Sequence, residues 1–311
     1  MNRNPNQHPP HMVYQVPNNI IVKSTYQVTE TSFLQPLYIT ETINEIKSYI
    51  LETNASYYPN LEIEAKLGCY EFVGNAIKSF NFINEGFKLP EFQAYTSETK
   101  AFTYKFHPGL SPEKFYLIWA SVDRESHDPK SEIEVLGCHT YDETHYKSEK
   151  RKAVIYSAGK PPREETIRKE NKKHINIRRM GNDFRVTCCK EMPSEVDEEN
   201  DVVKMTRQKF RTSYRFRFYR IDFTIAQCSY EKGKLTYEIE IEIDKDRIQK
   251  FLNENDFAQL TVVLERFIQN VVNLYTATTL DGFNFGVLSR KTNKYRNRYG
   301  NYLENNVYTK N

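Results

Sequence analysis

The sequence predicts an α+β fold in which antiparallel strands close into a barrel flanked by helices. Three observations point there. First, Leu61–Gly68 and Tyr237–Asp244 alternate strictly between charged and apolar residues, which is the period of a strand with two unlike faces. Glu62, Glu64 and Lys66 share one face of the first strand; Glu238, Glu240 and Glu242 share one face of the second. Second, strands of opposite or mixed charge lie between them. Arg207, Lys209 and Arg211 line one face, then Arg220, Asp222 and Thr224 line another, and the residues between can hold a hairpin turn. Third, helical periodicity brackets this region on both sides.

Alternation of Glu and Ile alone also describes a half-exposed antiparallel strand. The oppositely charged strands argue for more. An open sheet would expose the charged faces, whereas a closed barrel turns them inward as a polar tunnel and packs the apolar faces against helices. Buried charges must be paired or bound to ions. Acidic strands facing basic strands around a metal and a phosphate meet that demand, and clustered carboxylates are suitable ligands for a hard divalent cation.

Taken in order, residues 1–30 are rich in Asn, Pro and Gln and read as a disordered arm. Ile39, Ile43, Ile46 and Ile50 are spaced as one helical face, predicting a helix over about Leu37–Leu51 that leads into the Glu62 strand. Residues 70–106 hold several short strand-like pieces. Ser111 followed by Pro112 is an N-cap with Pro at the first helical position, opening a helix through Trp119. Strand-like segments fill Ile133–Ile243, interrupted by an acidic loop over Pro193–Asn200. Asp256 can cap a long helix whose apolar stripe is Leu260, Val263, Leu264, Phe267, Ile268 and Val271. That stripe can pack beneath the barrel or serve as a homodimer seam. Residues 286–311 form a basic, Tyr- and Asn-rich tail, which leaves 31–285 as the folded catalytic domain.

The 311-residue chain carries a net charge of +3 and a pI near 8.4, too mild to indicate nucleic-acid binding without local clustering. Aromatics make up 14 %, with 22 Tyr and 19 Phe, which suits a strand-rich fold. No charged-then-apolar leader and no long apolar run are present, so the expectation is a soluble protein without a membrane span. The five cysteines form no C-x-x-C pair, and the seven histidines show no metal-ligand spacing. There is no G-x-x-x-x-G-K-[ST] loop, and Glu195 stands where a C-x₅-R phosphatase loop starting at Cys189 would need Arg.

The four charged strands, in this order, resemble the fungal and protozoal type of metal-dependent RNA 5′-triphosphatase, a triphosphate tunnel metalloenzyme of mRNA capping. The resemblance rests on E-x-E-x-K at Glu62, Glu64 and Lys66, R-x-K-x-R at Arg207–Arg211, R-x-D-x-T at Arg220–Thr224 and E-x-E-x-E at Glu238–Glu242. It spans roughly residues 35–275. It implies a closed antiparallel eight-stranded barrel with flanking helices. Shorter matches fill the middle: Glu191 before Met-Pro, Asp142 in a T-x-D-x-x-Y-like strand, Arg151 in an R-x-S-like strand, and Lys169, with Arg168 as its neighbour in contention. Ala153 departs from the family's Ser in the Arg151 strand.

The resemblance further implies hydrolysis of the γ-phosphate of 5′-triphosphate RNA, with Glu62, Glu64 and Glu242 ligating Mg²⁺ or Mn²⁺. Lys209, Arg211, Arg151 and Lys169 then clamp phosphate oxygens, and Glu191 orients the attacking water. Lys66, Asp142, Arg207, Arg220, Asp222, Thr224, Glu238 and Glu240 support them. Related tunnel enzymes acting on tripolyphosphate, free nucleotides or thiamine triphosphate, and a non-catalytic barrel of the Mediator type, are the competing readings. Thr279-Leu-Asp-Gly282 has Thr where a guanylyltransferase K-x-D-G motif needs Lys, so a separate guanylyltransferase is the expected partner. Capping places the chain in the nucleus, or in the cytoplasm if it comes from a cytoplasmic virus.

Overall fold

Alternating faces on long strands dictate the architecture. The computed structural model describes residues 37–53, 59–73, 87–88, 103–178, 183–197, 199–230 and 233–276. The N-terminal arm, the basic tail and the Thr279–Gly282 segment lie outside these residues. The elements are α1 (Leu37–Glu52), β1 (Leu61–Val73), β2 (Phe87–Lys88), β3 (Thr103–Pro108), α2 (Pro112–Ser126), β4 (Ile133–Tyr146), β5 (Lys150–Ser157), β6 (Arg163–Arg178), β7 (Asp183–Pro193), β8 (Val203–Phe216), β9 (Tyr219–Cys228), β10 (Leu235–Ile243), α3 (Lys245–Asn253) and α4 (Phe257–Thr276).

Eight strands pair in the order β10-β9-β8-β4-β5-β6-β7-β1, and β1 returns to pair with β10. The sheet is therefore a closed antiparallel barrel, as the sequence predicts. Closure is at Glu64 opposite Glu242 and Lys66 opposite Glu240. Beyond the closure, β1 continues to Val73 alongside β3. Gly68 is required at this crossing: a Cβ there would stand 2.3 Å from the His107 carbonyl oxygen.

The strands' apolar faces turn outward. Ile63, Ala65 and Leu67 of β1, Ile239, Ile241 and Ile243 of β10, and Ile221, Phe223 and Ile225 of β9 are buried in one core with the helices. Each such Ile, Leu or Phe side chain contributes about 1.5–3 kcal/mol on burial, which offsets the cost of a charged interior. The Ser111 hydroxyl caps α2 by accepting from the Lys114 amide. This helix continues past Trp119 to Ser126, because Val122 prolongs the buried face of Phe115, Ile118 and Trp119. The Trp119 indole N–H donates to the Tyr214 hydroxyl at 2.9 Å, and that hydroxyl donates to Asp123 at 2.8 Å, tying α2 to β8.

After β10 the chain forms α3, capped by Asp244, and then α4, whose start is capped by Asp256 accepting from the Gln259 amide at 3.0 Å. Leu260, Val263, Leu264, Phe267, Ile268 and Val271 are all buried within the chain, in the core shared with α1, α3 and the barrel. Asn270 of α4 donates to the Tyr219 hydroxyl of β9. The stripe is thus already covered and is not open as a dimer seam.

Candidate active site

Closing the barrel brings the charged faces of its strands together around a cavity of about 740 Å³. Fifteen of the sixteen side chains picked out in the sequence stand on this inner side, paired or stacked round the tunnel. The exception is Asp142. It pairs with Gln208, whose neighbours Arg207 and Lys209 point inward, so Asp142 faces outward and accepts from the Gln208 amide at 3.3 Å. This corrects the expectation that Asp142 supports the tunnel. The inward acid of β4 is the next residue, Glu143. A one-residue slip exchanges the two faces of a strand, and the run Tyr-Asp-Glu-Thr allowed either phase.

The same register separates Lys169 from Arg168. Lys169 points inward to Glu62, Glu64 and Glu191, at 3.8 Å from Glu64 and 3.3 Å from Glu191. Arg168 faces outward toward Glu170.

The cations and acids alternate round the interior. Arg211 is held at three points: Nε donates to Thr224 at 3.0 Å, one terminal nitrogen lies 2.9 Å from Asp222 and the other 2.8 Å from Glu240. Lys66 lies 2.6 Å from Glu240 and 3.4 Å from Glu64. Arg207 pairs with Glu238 at 2.6 Å, and Arg220 with both Asp222 and Glu242. Arg151 lies between Glu143 (3.8 Å) and Glu191 (3.6 Å). Beside it, Ala153 is fully buried.

Burial and these neighbours set the charges. Burial raises the Glu240 carboxyl, but Lys66, Arg211 and Lys209 outweigh it and hold the group well below the usual carboxylate range. Glu143 is likewise held low, because Lys209, His145 and Arg151 outweigh its burial. Burial lowers Lys209 to about 8; Glu143 opposes the shift, while Arg207, Arg211 and Arg151 add to it. Lys169 is raised, since Glu64, Glu62 and Glu191 outweigh its burial.

The acids at the closure are different. Burial pushes Glu242 up to about 8 against the single nearby guanidinium of Arg220, and Glu64 is also raised, by burial first. Glu64 and Glu242 stand directly opposite each other, and Glu62 is one inward step along β1. Opposed like charges are unfavourable without a cation between them. Among the described residues no three His, Cys, Asp or Glu side chains converge on one point as they stand: Glu62 and Glu64 turn to lysines and Glu242 to Arg220. The donor chemistry, three carboxylates on two neighbouring strands, two of them raised by burial, nevertheless fits a hard divalent metal.

Among the described residues Glu191 Oε1 and Arg151 Nε accept and donate no hydrogen bond in the cavity wall, although Oε1 lies within ion-pair distance of Lys169 and Arg151; buried polar atoms rarely stay without a hydrogen bond unless they serve a function.

Several inward residues were not singled out from the sequence. Besides Glu143 these include His145, 3.1 Å from Glu143, and Cys189, whose thiol donates to Glu62 at 2.9 Å. Burial first, then Glu62, pushes the Cys189 thiol up, so it stays protonated. Arg185 and Tyr141 also line the cavity. Inward phase on β4 and β7 was the available signal: Cys189, Thr187 and Arg185 follow Glu191 at period two.

Relatives bear on this arrangement. The chain resembles the solved structure of the S. pombe Pct1 RNA triphosphatase, at 19 % identity and a TM-score of 0.58, covering 80 % of this chain and 97 % of that one. The structure of the same protein in complex with the Spt5 CTD matches at 19 % identity and a TM-score of 0.55, covering 75 % and 93 %. These likenesses bear on the fold. No curated protein matches. The family model described as mRNA capping enzyme, beta chain, matches residues 38–279, a stretch that contains every charged strand of the tunnel, and the chain therefore belongs to that family.

Proposed function

We propose that this chain is an RNA 5′-triphosphatase of mRNA capping, which hydrolyses the γ-phosphate of 5′-triphosphate RNA and leaves a 5′-diphosphate end. The observation that carries the reading is the inward cluster of Arg151, Lys169, Lys209 and Arg211 around Glu191, in a tunnel whose acidic wall holds Glu62, Glu64 and Glu242. Phosphoryl transfer needs positioning and charge stabilisation more than covalent help from the protein. Arg211 and Lys209 bind and orient the γ-phosphoryl oxygens. Arg151 and Lys169 neutralise them from the side of Glu191. The Glu191 carboxylate accepts a hydrogen bond from water and aims it at phosphorus. Glu240, Asp222 and Thr224 keep the Arg211 fork from rotating, and Glu143 keeps Lys209 and Arg151 in the wall. Glu62, Glu64 and Glu242 are the residues to hold Mg²⁺ or Mn²⁺, which supplies Lewis-acid polarisation of the γ-phosphoryl group when bound. A separate guanylyltransferase completes the cap, and the work is nuclear, or cytoplasmic for a cytoplasmic virus.

Glu191→Gln tests the water assignment. The amide keeps the shape but is a poorer acceptor, so phosphate release from γ-labelled triphosphate RNA in a single turnover should slow about a hundredfold or more with substrate binding retained. An undiminished rate would remove Glu191 from the reaction.

A pH dependence follows from Lys209. It serves as a cation, and its group titrates near 8, so the competent form prevails below that pH. At saturating metal, which keeps the Glu242 carboxylate ionised, kcat/KM should fall above pH 8, approaching tenfold per pH unit. A flat profile from pH 7 to 9.5 would show that the charge on Lys209 is not needed.

A further inference from the structure

The inner row of β7 ends in a cation that the mechanism above does not use. Arg185 pairs in register with Lys66 on one side and Asn176 on the other, and lines the cavity. Its guanidinium lies over the Phe106 ring at 4.6 Å from the centroid, and Nε donates to the Asn176 side-chain oxygen at 2.8 Å. Arg151, Arg163, Arg207, Arg211 and Arg220, the other described arginines lining the cavity, each lie within 4 Å of a carboxylate. Among the described residues Arg185 has no such acid. A side chain fixed at two points, with its charge uncompensated and facing a phosphate tunnel, is preorganised for an anion.

Its distance from Glu191 identifies which anion. The two lie at opposite ends of the β7 row, about 20 Å apart along the strand at ~3.3 Å per residue. In-line displacement sets the leaving oxygen opposite the attacking water. Water at Glu191 therefore directs the rest of the phosphate chain toward Arg185. The mouth on that side also carries Lys172 and Lys204. We propose that Arg185 binds the phosphate beyond the scissile bond, the α- or β-phosphate of the RNA 5′ end, and so fixes the mouth through which the RNA enters. This rests on the triphosphatase reading and extends it to the polarity of the bound substrate.

The test is steady-state kinetics on triphosphate RNA with Arg185→Gln and Arg185→Lys in the full chain, over a range of salt. Losing one charged hydrogen-bond donor to phosphate should raise KM ten- to a hundredfold with kcat nearly held. It should also flatten the salt dependence of kcat/KM by about 0.7 in log–log slope, and Arg185→Lys should recover much of the loss. If a thermal melt shows Arg185→Gln unfolded, Phe106→Leu carries the test with β7 intact: loss of the ring beneath the guanidinium should raise KM about two- to fivefold. A fall in kcat at constant KM, an unchanged salt slope, or an unchanged KM would overturn the assignment of Arg185. A wild-type protein that releases no phosphate would instead overturn the triphosphatase reading beneath it.

Discussion

Arg211→Lys should lower kcat by about a hundredfold despite keeping the charge. Arg211 spends three of its five N–H groups on Thr224, Asp222 and Glu240 and lines the cavity. Lysine offers three donors at a single point and cannot hold both acids and a phosphate oxygen in fixed geometry. Removing one preorganised donor from a transition state typically costs a factor of a hundred to a thousand. Arg211→Ala should be worse, because Asp222 and Glu240 are buried and, among the described residues, Glu240 would keep only Lys66 as an ion-pair partner. Breaking one side of a buried pair costs about 3–5 kcal/mol, so a marked fall in melting temperature should accompany the lost activity. Single-turnover rates and thermal melts on both variants separate the two effects. A lysine variant with wild-type turnover would show that a point charge suffices there.

The second large effect is expected at Glu143, with Asp142 as its control one residue away. Glu143 is buried and lies 2.7 Å from the Lys209 ammonium, while also facing Arg151 and His145. Without it, Lys209 sits among Arg207, Arg211 and Arg151, and a further drop of its pKa would discharge it near neutrality. Glu143→Ala should therefore cut kcat/KM at least a hundredfold and destabilise the fold by about 3–5 kcal/mol. Asp142→Ala, on the outer face, should stay within about 0.5 kcal/mol and keep full activity. Melting curves and kinetics on the pair decide which phase β4 adopts; equal effects at the two positions would contradict the register.

These two residues also mark what the sequence could and could not show. Where a strand's charges recur at strict period two, as in β1, β8, β9 and β10, the inward face was legible from the residues alone. The family's order of motifs added the closure that makes it a tunnel. On β4 the adjacent Asp142 and Glu143 gave no phase, since pairing with β8 alone decides it. Cys189 was hidden for a different reason: Cys188 and Cys189 read alike, and one faces the core while the other faces Glu62. The helices were legible through caps and spacing at Ser111, Asp256 and the Ile39–Ile50 stripe. Only α3, a short element begun by Asp244, had too little periodicity to separate from α4. Ion pairs such as Lys169 with Glu62 depend on the barrel's stagger, a property of the whole closed sheet that no single strand encodes.

The central claim is that acids on β1 and β10 and cations on β5, β6 and β8 form one metal-dependent phosphate-releasing site. The most direct test is release of phosphate from γ-labelled triphosphate RNA with Mg²⁺, Mn²⁺ or EDTA, comparing the wild type with a Glu64→Ala/Glu242→Ala double variant. Release that needs the metal and disappears in the folded double variant is the predicted result. Release that persists in EDTA or in the double variant, or a wild type inactive with both metals, would contradict it.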